Sequence, residues 1–210
     1  MLQFTNFRKS YGYHPILQIE SLRIEPGIYW IKGVNGSGKS TLLKSIGGFL
    51  FFEGEILLNN VSVKKDSVPY RKMVNFADAE PIYPEFLTGW EMIALFAKAK
   101  QATPSQELYF IKSMKMESYL SNAVGSYSSG MLKKLSLVLA FLGRPKVILL
   151  DEPLITIDTE SLDILCRWIL KKHEEENTTF LLSSHQPLSE VLLTKARVLL
   201  VDKQTLTMEK

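Results

Sequence analysis

The sequence predicts an α/β fold with a mainly parallel core sheet, and three observations carry that expectation. Residues 33–41 read Gly33-Val34-Asn35-Gly36-Ser37-Gly38-Lys39-Ser40-Thr41, a Gly-x-x-x-x-Gly-Lys-Ser phosphate-binding loop. Val147 to Leu150 is a continuous apolar run, the pattern of a strand buried on both faces, and Thr179 to Ser183 reads as a second buried strand. Between them Thr159 to Glu176 reads as a helix, and strands alternating with helices imply parallel pairing through right-handed crossovers.

Along the chain, Leu2 to Phe7 and Ile16 to Ile24 alternate apolar and polar residues as half-buried strands do. Pro26-Gly27 turns into the strand Gly27 to Ile31, which enters the phosphate loop, and Ser40 to Ile46 leaves it as a helix. Gly54 to Leu58, the Asn59-Asn60 turn and Val61 to Val63 predict a hairpin, and Met73 to Phe76 a further strand. The middle is helical. Thr88 to Lys100 has helical apolar spacing. Thr103-Pro104-Ser105-Gln106 predicts a helix start, with Thr103 as N-cap, and the helix turns Leu108, Ile111 and Met114 toward a core. Ser128 to Leu142 predicts a third helix, stopped by Gly143-Arg144-Pro145. Arg197 to Val201 and Thr205 to Met208 close the chain as strands.

With 210 residues, 46% hydrophobic and 22% charged, the chain is expected to form one soluble domain with subdomains. The net charge of +3 is too small to imply nucleic acid as a partner. The lysine pairs at 64–65, 133–134 and 171–172 are expected on solvated surfaces. The one cysteine, Cys166, allows no intramolecular disulfide and is expected as a buried structural thiol in a reducing compartment. No apolar run approaches the ~20 residues that span a bilayer, and no secretory signal opens the chain, so this chain is not expected to cross a membrane itself.

The chemistry concentrates in two motifs. Glycines in the phosphate loop let backbone N–H groups from Asn35 through Thr41 turn toward a polyphosphate. Lys39 can reach its β- and γ-phosphates, and the Ser40 hydroxyl can sit on Mg²⁺. Strand, loop and helix in that order put phosphate on a helix N-terminus. The strand at Val147 delivers Asp151 and Glu152 to its C-terminal end, where open α/β sheets bind ligands. Asp151 can hold Mg²⁺ through water, and Glu152 can accept a proton from an attacking water.

With these motifs, the segment Tyr127-Ser128-Ser129-Gly130-Met131, one helix upstream of Val147, makes the chain resemble the ATP-binding subunit of an ABC (ATP-binding cassette) transporter over essentially its whole length. That segment stands in the place of the family's Leu-Ser-Gly-Gly-Gln signature, with Ser129 replacing the first glycine and Met131 the glutamine. The resemblance implies that Ser128 and Gly130 contact ATP held by the other subunit of a head-to-tail dimer. It implies that Asp158 lies on the loop crossing that dimer, where Asp158 also suits a helix N-cap. It gives His185, after Ser183-Ser184, a place on the γ-phosphate, and Tyr11 a place stacked on adenine, with Tyr13 as competitor.

The implied fold is an ABC-type phosphate-loop NTPase. Residues 1–80 form an antiparallel β-subdomain and the loop-bearing core, 81–143 a helical subdomain, and 144–210 the core with Glu152 and His185. The implied function is ATP hydrolysis with Mg²⁺ powering transport through a separate membrane-spanning subunit. The chain would work as a dimer with an identical or related cassette, on the cytoplasmic face of the membrane, and its shortness and Ser-Gly-Met signature suggest a bacterial exporter. One position departs from the family: its usual glutamine after the strand at Met73 falls at Ala79 or a neighbour, within Asp78-Ala79-Glu80. Asp78 or Glu80 are candidate substitutes as oxygen ligands. The alternatives are a soluble ABC-type ATPase without a membrane partner, and a catalytically weak ATP-binding regulatory module. A GTPase is disfavoured because no Asn-Lys-x-Asp segment is present.

Overall fold

Strand β1 (Leu2–Tyr11) alternates buried Leu2, Phe4 and exposed neighbours, and pairs antiparallel with β2 (His14–Ile24). The structure, a computed structural model, describes residues 1–209. The chain continues through β3 (Ile28–Lys32), α1 (Lys39–Ile46), β4 (Glu53–Leu58), β5 (Val61–Ser62), α2 (Ser67–Met73) and β6 (Val74–Ala77). Then come α3 (Gly89–Ala99), α4 (Gln106–Ser113), a 3₁₀ turn at Val124–Ser126 and α5 (Ser129–Phe141). The last third holds β7 (Val147–Asp151), α6 (Thr159–Glu176), β8 (Thr179–Ser183), α7 (Glu190–Leu193), β9 (Ala196–Asp202) and β10 (Thr205–Met208).

These elements make two sheets. A four-stranded antiparallel sheet has the order β2-β1-β4-β5, and a six-stranded sheet has the order β10-β9-β3-β8-β7-β6. In the second, β6, β7, β8, β3 and β9 pair in parallel, and β10 adds antiparallel to β9. Because side chains of a strand alternate faces, the parallel sheet divides its apolar residues between two cores. Ile28, Trp30, Ile148, Leu150, Phe180 and Leu182 pack on the helices α3 to α6. Tyr29, Ile31, Val147, Leu149 and Leu181 pack with α1 and the antiparallel sheet. A sheet covered on both faces is what the continuous apolar run of β7 demands. Phe110, Phe141 and Trp168 stack edge-on or tilted with centroids 4.7–5.9 Å apart, locking α4, α5 and α6 together.

The expected strands and helices are all present, with end shifts of a few residues. The Asn59-Asn60 turn forms with φ of 50° and 65°, the left-handed pair that suits a two-residue hairpin. Four details differ from expectation. Helix α2 was not read from the sequence, because Tyr70 alone of its seven residues is buried. Helix α4 starts after Ser105 at φ 63° with no side-chain cap, and Thr103 forms only a preceding turn. Gln106 instead spends its amide on a two-bond link to the backbone of Gly143, at 3.1 and 2.7 Å, and Leu108 on the same helix is left exposed. Lys133 and Lys172 are buried rather than solvated, Lys133 with its ammonium on backbone carbonyls and Lys172 on the Gly143 carbonyl and the Glu176 carboxylate. Cys166 is only partly buried, its sulfur 3.3 Å from the Ser189 hydroxyl.

Candidate functional site

The phosphate loop joins β3 to α1. At Gly33 a Cβ would fall 2.5 Å from Ser37 Oγ and 2.6 Å from the Val201 carbonyl, so no side chain fits there. Gly38 is the N-cap of α1 at φ 107° and supplies no side-chain cap. The first-turn N–H groups of a helix have no intrahelical acceptors, and here no acidic residue competes for them. The positive end of the helix dipole, worth about half a charge, adds to that. The result is an anion site made from backbone at Gly38 to Thr41. Lys39 is buried and donates to the carbonyls of Gly33 at 2.8 Å and Val34 at 3.1 Å, so its ammonium already lies over the loop. The loop bends through Asn35 and Gly36, with the Ser37 N–H closing back on Val34 O at 3.1 Å.

Strand β7 places Asp151 beside this loop. Asp151 is 1% exposed, and its Oδ1 accepts from Ser40 Oγ at 3.0 Å and from Ser183 Oγ at 2.5 Å. Ser40 and Asp151 therefore present adjoining hard oxygens, a donor set that fits Mg²⁺, which takes one or two protein ligands and completes its shell with water and phosphate. Among the described residues no cluster of three or more His, Cys, Asp or Glu forms a metal site.

Glu152 follows at φ 44°, a conformation that costs a non-glycine residue about 1–3 kcal/mol and must be held by its surroundings. Ser183 holds it: the Glu152 N–H donates to Ser183 Oγ at 3.0 Å and to Ser183 O at 3.2 Å. This backbone turn aims the carboxylate at His185, whose Nδ1 is 3.1 Å from Glu152 Oε2. The chain thus brings Ser40, Asp151, Glu152 and His185 into one linked constellation, with Ser183 as a member that the motifs did not announce.

The segment lacking the family glutamine borders a cavity of about 620 Å³. Ser40 and Asp151 lie in its wall, as do Asp78, Ala79, Glu80, Phe49 and Ile82. Asp78 Oδ2 pairs with Lys44 Nζ at 2.9 Å, which leaves Oδ1 as its oxygen toward the cavity. Lys133 fastens the same segment through its carbonyls. Burial pushes the Lys133 ammonium down to about 8, opposed by Asp151, Asp78 and Glu152.

Ser128, Gly130 and Asp158 form a second, separate group. Ser128 caps α5, accepting from the Met131 N–H at 3.2 Å. A Cβ on Gly130 would lie 3.0 Å from the Thr156 carbonyl. Asp158 caps α6 through the Ser161 N–H at 2.8 Å and pairs with Lys134 at 2.9 Å. Lys134 first, then that N–H, hold its carboxyl well below the usual carboxylate range. No hydrogen bond or ion pair among the described residues joins Ser128 or Gly130 to the phosphate loop. Tyr11 ends β1 half-exposed, with Lys9 Nζ 4.6 Å from its ring centroid, while Tyr13 is fully exposed on the adjoining turn. Strand β2 touches the loop, since a Cβ on Gly38 would meet Ile16 at 3.0 Å and Leu17 at 3.2 Å. The β1–β2 hairpin therefore flanks the phosphate site.

Comparison with known proteins gives the family and the fold. Residues 17–155 match the family described as ABC transporter. The cytochrome c biogenesis ATP-binding export protein CcmA of Legionella pneumophila is 35% identical over 183 residues, covering 85% of this chain and 90% of that protein. The ABC transporter ATP-binding protein YtrB of Bacillus subtilis is 29% identical, covering 89% of this chain and 64% of YtrB. A solved ATP-binding subunit of an ABC transporter superposes with a TM-score of 0.89 at 22% identity, covering 100% of this chain and 89% of that one. The dimeric bacterial ABC transporter cassette MJ0796 superposes at 0.87 and 23% identity, covering 100% and 98%. These two likenesses establish the fold.

Proposed function

The chain belongs to the ABC transporter family and is one of its ATPases, and from that premise we propose that it powers transport through a separate membrane-spanning partner. The observation that carries this reading is the junction of the phosphate loop with the carboxylate strand, Ser40 Oγ to Asp151 Oδ1 at 3.0 Å, with Glu152 and His185 beside it.

ATP would lie with its phosphates on the Gly38–Thr41 backbone and its adenine against Tyr11. Lys39 would exchange its loop carbonyls for β- and γ-phosphate oxygens. Mg²⁺, held through Ser40 and Asp151, would supply positive charge against the phosphates. Glu152 would take the proton of the attacking water, and His185, 3.1 Å from Glu152, would hold the γ-phosphate.

Ser128 and Gly130 stand apart from the loop of their own chain and are exposed or half-exposed, so they suit the nucleotide of a second cassette. Two cassettes, identical or related, would then close over two ATP molecules, with the Asp158 loop at their junction. No helix among the described residues is long and apolar enough to cross a membrane, and we assign the pore to a separate subunit. The exposed side chains of Phe49 and Ile82 make an apolar rim on the Ser40–Asp151 cavity. We assign that surface to the membrane partner, and the same reading puts the chain on the cytoplasmic face of the membrane. The likeness to CcmA, named an export protein, favours export.

The test is Glu152→Gln. Hydrolysis should fall by about 100-fold or more, while ATP stays bound and a dimer accumulates in size-exclusion chromatography. Unchanged turnover would remove Glu152 from the mechanism. Sustained turnover of the wild-type chain with its membrane partner would exclude a purely regulatory module.

A further inference from the structure

Lys133 is 1% exposed on α5, and its ammonium donates to three backbone carbonyls: Asp78 at 2.9 Å, Ala79 at 3.3 Å and Asp151 at 3.0 Å. An ammonium has three protons, so each of its donors has an acceptor. The acceptors come from two distant stretches of chain. Asp78 and Ala79 belong to the segment after β6 that borders the large cavity, and Asp151 ends the strand that turns into Glu152. The lysine itself sits one turn into the helix that opens with Ser128 and Gly130.

The 78–79 segment is fastened a second time by the Asp78–Lys44 pair at 2.9 Å, and Lys44 lies one turn beyond Ser40. The segment is therefore tied to the phosphate-loop helix by a side chain and to the carboxylate strand by its backbone. The stretch Asn75-Phe76-Ala77-Asp78-Ala79-Glu80-Pro81 holds no glutamine that could make such a link through its side chain. Removing an ammonium from water is costly, and an apolar side chain of the same length would fill the space without that cost. What the ammonium adds is the three-way bond.

We propose that Lys133 is a positioning residue that couples the Asp78–Glu80 segment to Asp151 and Glu152, carrying between cavity and nucleotide site a link that no glutamine of this segment supplies. The inference rests on the ATPase reading above. In this arrangement a displacement of the 78–80 segment moves the Asp151 carbonyl, and with it the turn that aims Glu152 at His185.

The test uses the intact chain with Lys133→Met and Lys133→Gln, the second retaining two N–H donors. Three quantities are read: the Kd for Mg·ATP, kcat and KM for hydrolysis, and hydrogen exchange of residues 76–84 with and without Mg·ATP. The expected result for Lys133→Met is a Kd and KM within about threefold of wild type and a kcat at least tenfold lower. Nucleotide-dependent protection of 76–84 should be present in wild type and lost in that variant. Lys133→Gln should recover at least half of the lost logarithm of kcat. Wild-type kcat and protection in Lys133→Met would overturn the inference. So would a parallel fall in binding and turnover that Lys133→Gln does not rescue, because it would mark a merely structural lysine. Failure of the wild-type chain to bind Mg·ATP would instead sink the ATPase reading, and the inference with it.

Discussion

Ser183 stands between the two carboxylates at the centre of the site. Its hydroxyl donates to Asp151 Oδ1 at 2.5 Å and accepts the Glu152 N–H at 3.0 Å, and the side chain is fully buried. Groups that orient a metal-binding carboxylate from behind cost about 10- to 100-fold in affinity or activity when removed. Ser183→Ala should therefore lower kcat about tenfold and raise the Mg²⁺ concentration for half-maximal hydrolysis. It should also cost about 1–2 kcal/mol of stability, because Asp151 loses a buried donor. Steady-state hydrolysis over a Mg²⁺ series and thermal melting measure both. In the sequence, Ser183 carries no motif of its own; only the pairing of β8 with β7, Ser183 opposite Asp151, brings it to the site. Lys133 left a fainter sign. It shares a helical face with Ser136, Leu137 and Ala140, all buried, so the period of α5 marked it as inward while its neighbour Lys134 suggested a solvated pair.

At the scale of elements, the sequence was most legible where one pattern dictated burial. The run Val147–Asp151 is buried at every position and could only be an inner strand. The phosphate loop declared β3 and α1 on either side of it. Helix α4 was misread at its start because the pairing of Gln106 with Gly143 is a contact across 37 residues, which no local rule contains. Helix α2 was silent because one side chain, Tyr70, anchors it. That anchor yields a prediction. The Tyr70 phenol donates to the Ile46 carbonyl at 2.8 Å, and burial raises its pKa well above the ordinary value. Burial of Tyr83 raises that phenol to about 12. A group whose folded pKa exceeds its unfolded value stabilises fully below the unfolded pKa and loses that contribution as pH rises toward the folded one. Tyr70→Phe should be about 1 kcal/mol less stable than wild type at pH 8, from the lost hydrogen bond. The gap should narrow between pH 9 and pH 11, where the unfolded tyrosine ionises. Urea midpoints of the two proteins across that range decide it; a constant gap would contradict the raised pKa.

At the scale of the whole molecule, the two groups of site residues lie on different parts of the fold, and the cavity opens a third face. The phosphate loop, Asp151, Glu152 and His185 gather at the C-terminal ends of the parallel strands. Ser128, Gly130 and Asp158 gather where α5 and α6 begin. The apolar rim of Phe49 and Ile82 adjoins the cavity that reaches Ser40 and Asp151, so a partner seated there would press on the 78–80 segment directly. Ile82 is 93% exposed and contributes little to the folded chain's own core. If the membrane partner covers it, burial of that side chain stabilises the complex by about 1.5–3 kcal/mol. Ile82→Asp removes this gain and adds a charge that must be desolvated. The variant should bind the membrane partner about 10- to 100-fold more weakly, measured by co-purification from detergent or by titration. Basal hydrolysis by the isolated chain should stay within about twofold, since the Ile82 side chain is turned almost wholly to solvent. Partner-dependent stimulation of hydrolysis should fall together with binding. Full binding and stimulation with Ile82→Asp would move the docking surface elsewhere and leave the cavity as an unshared pocket.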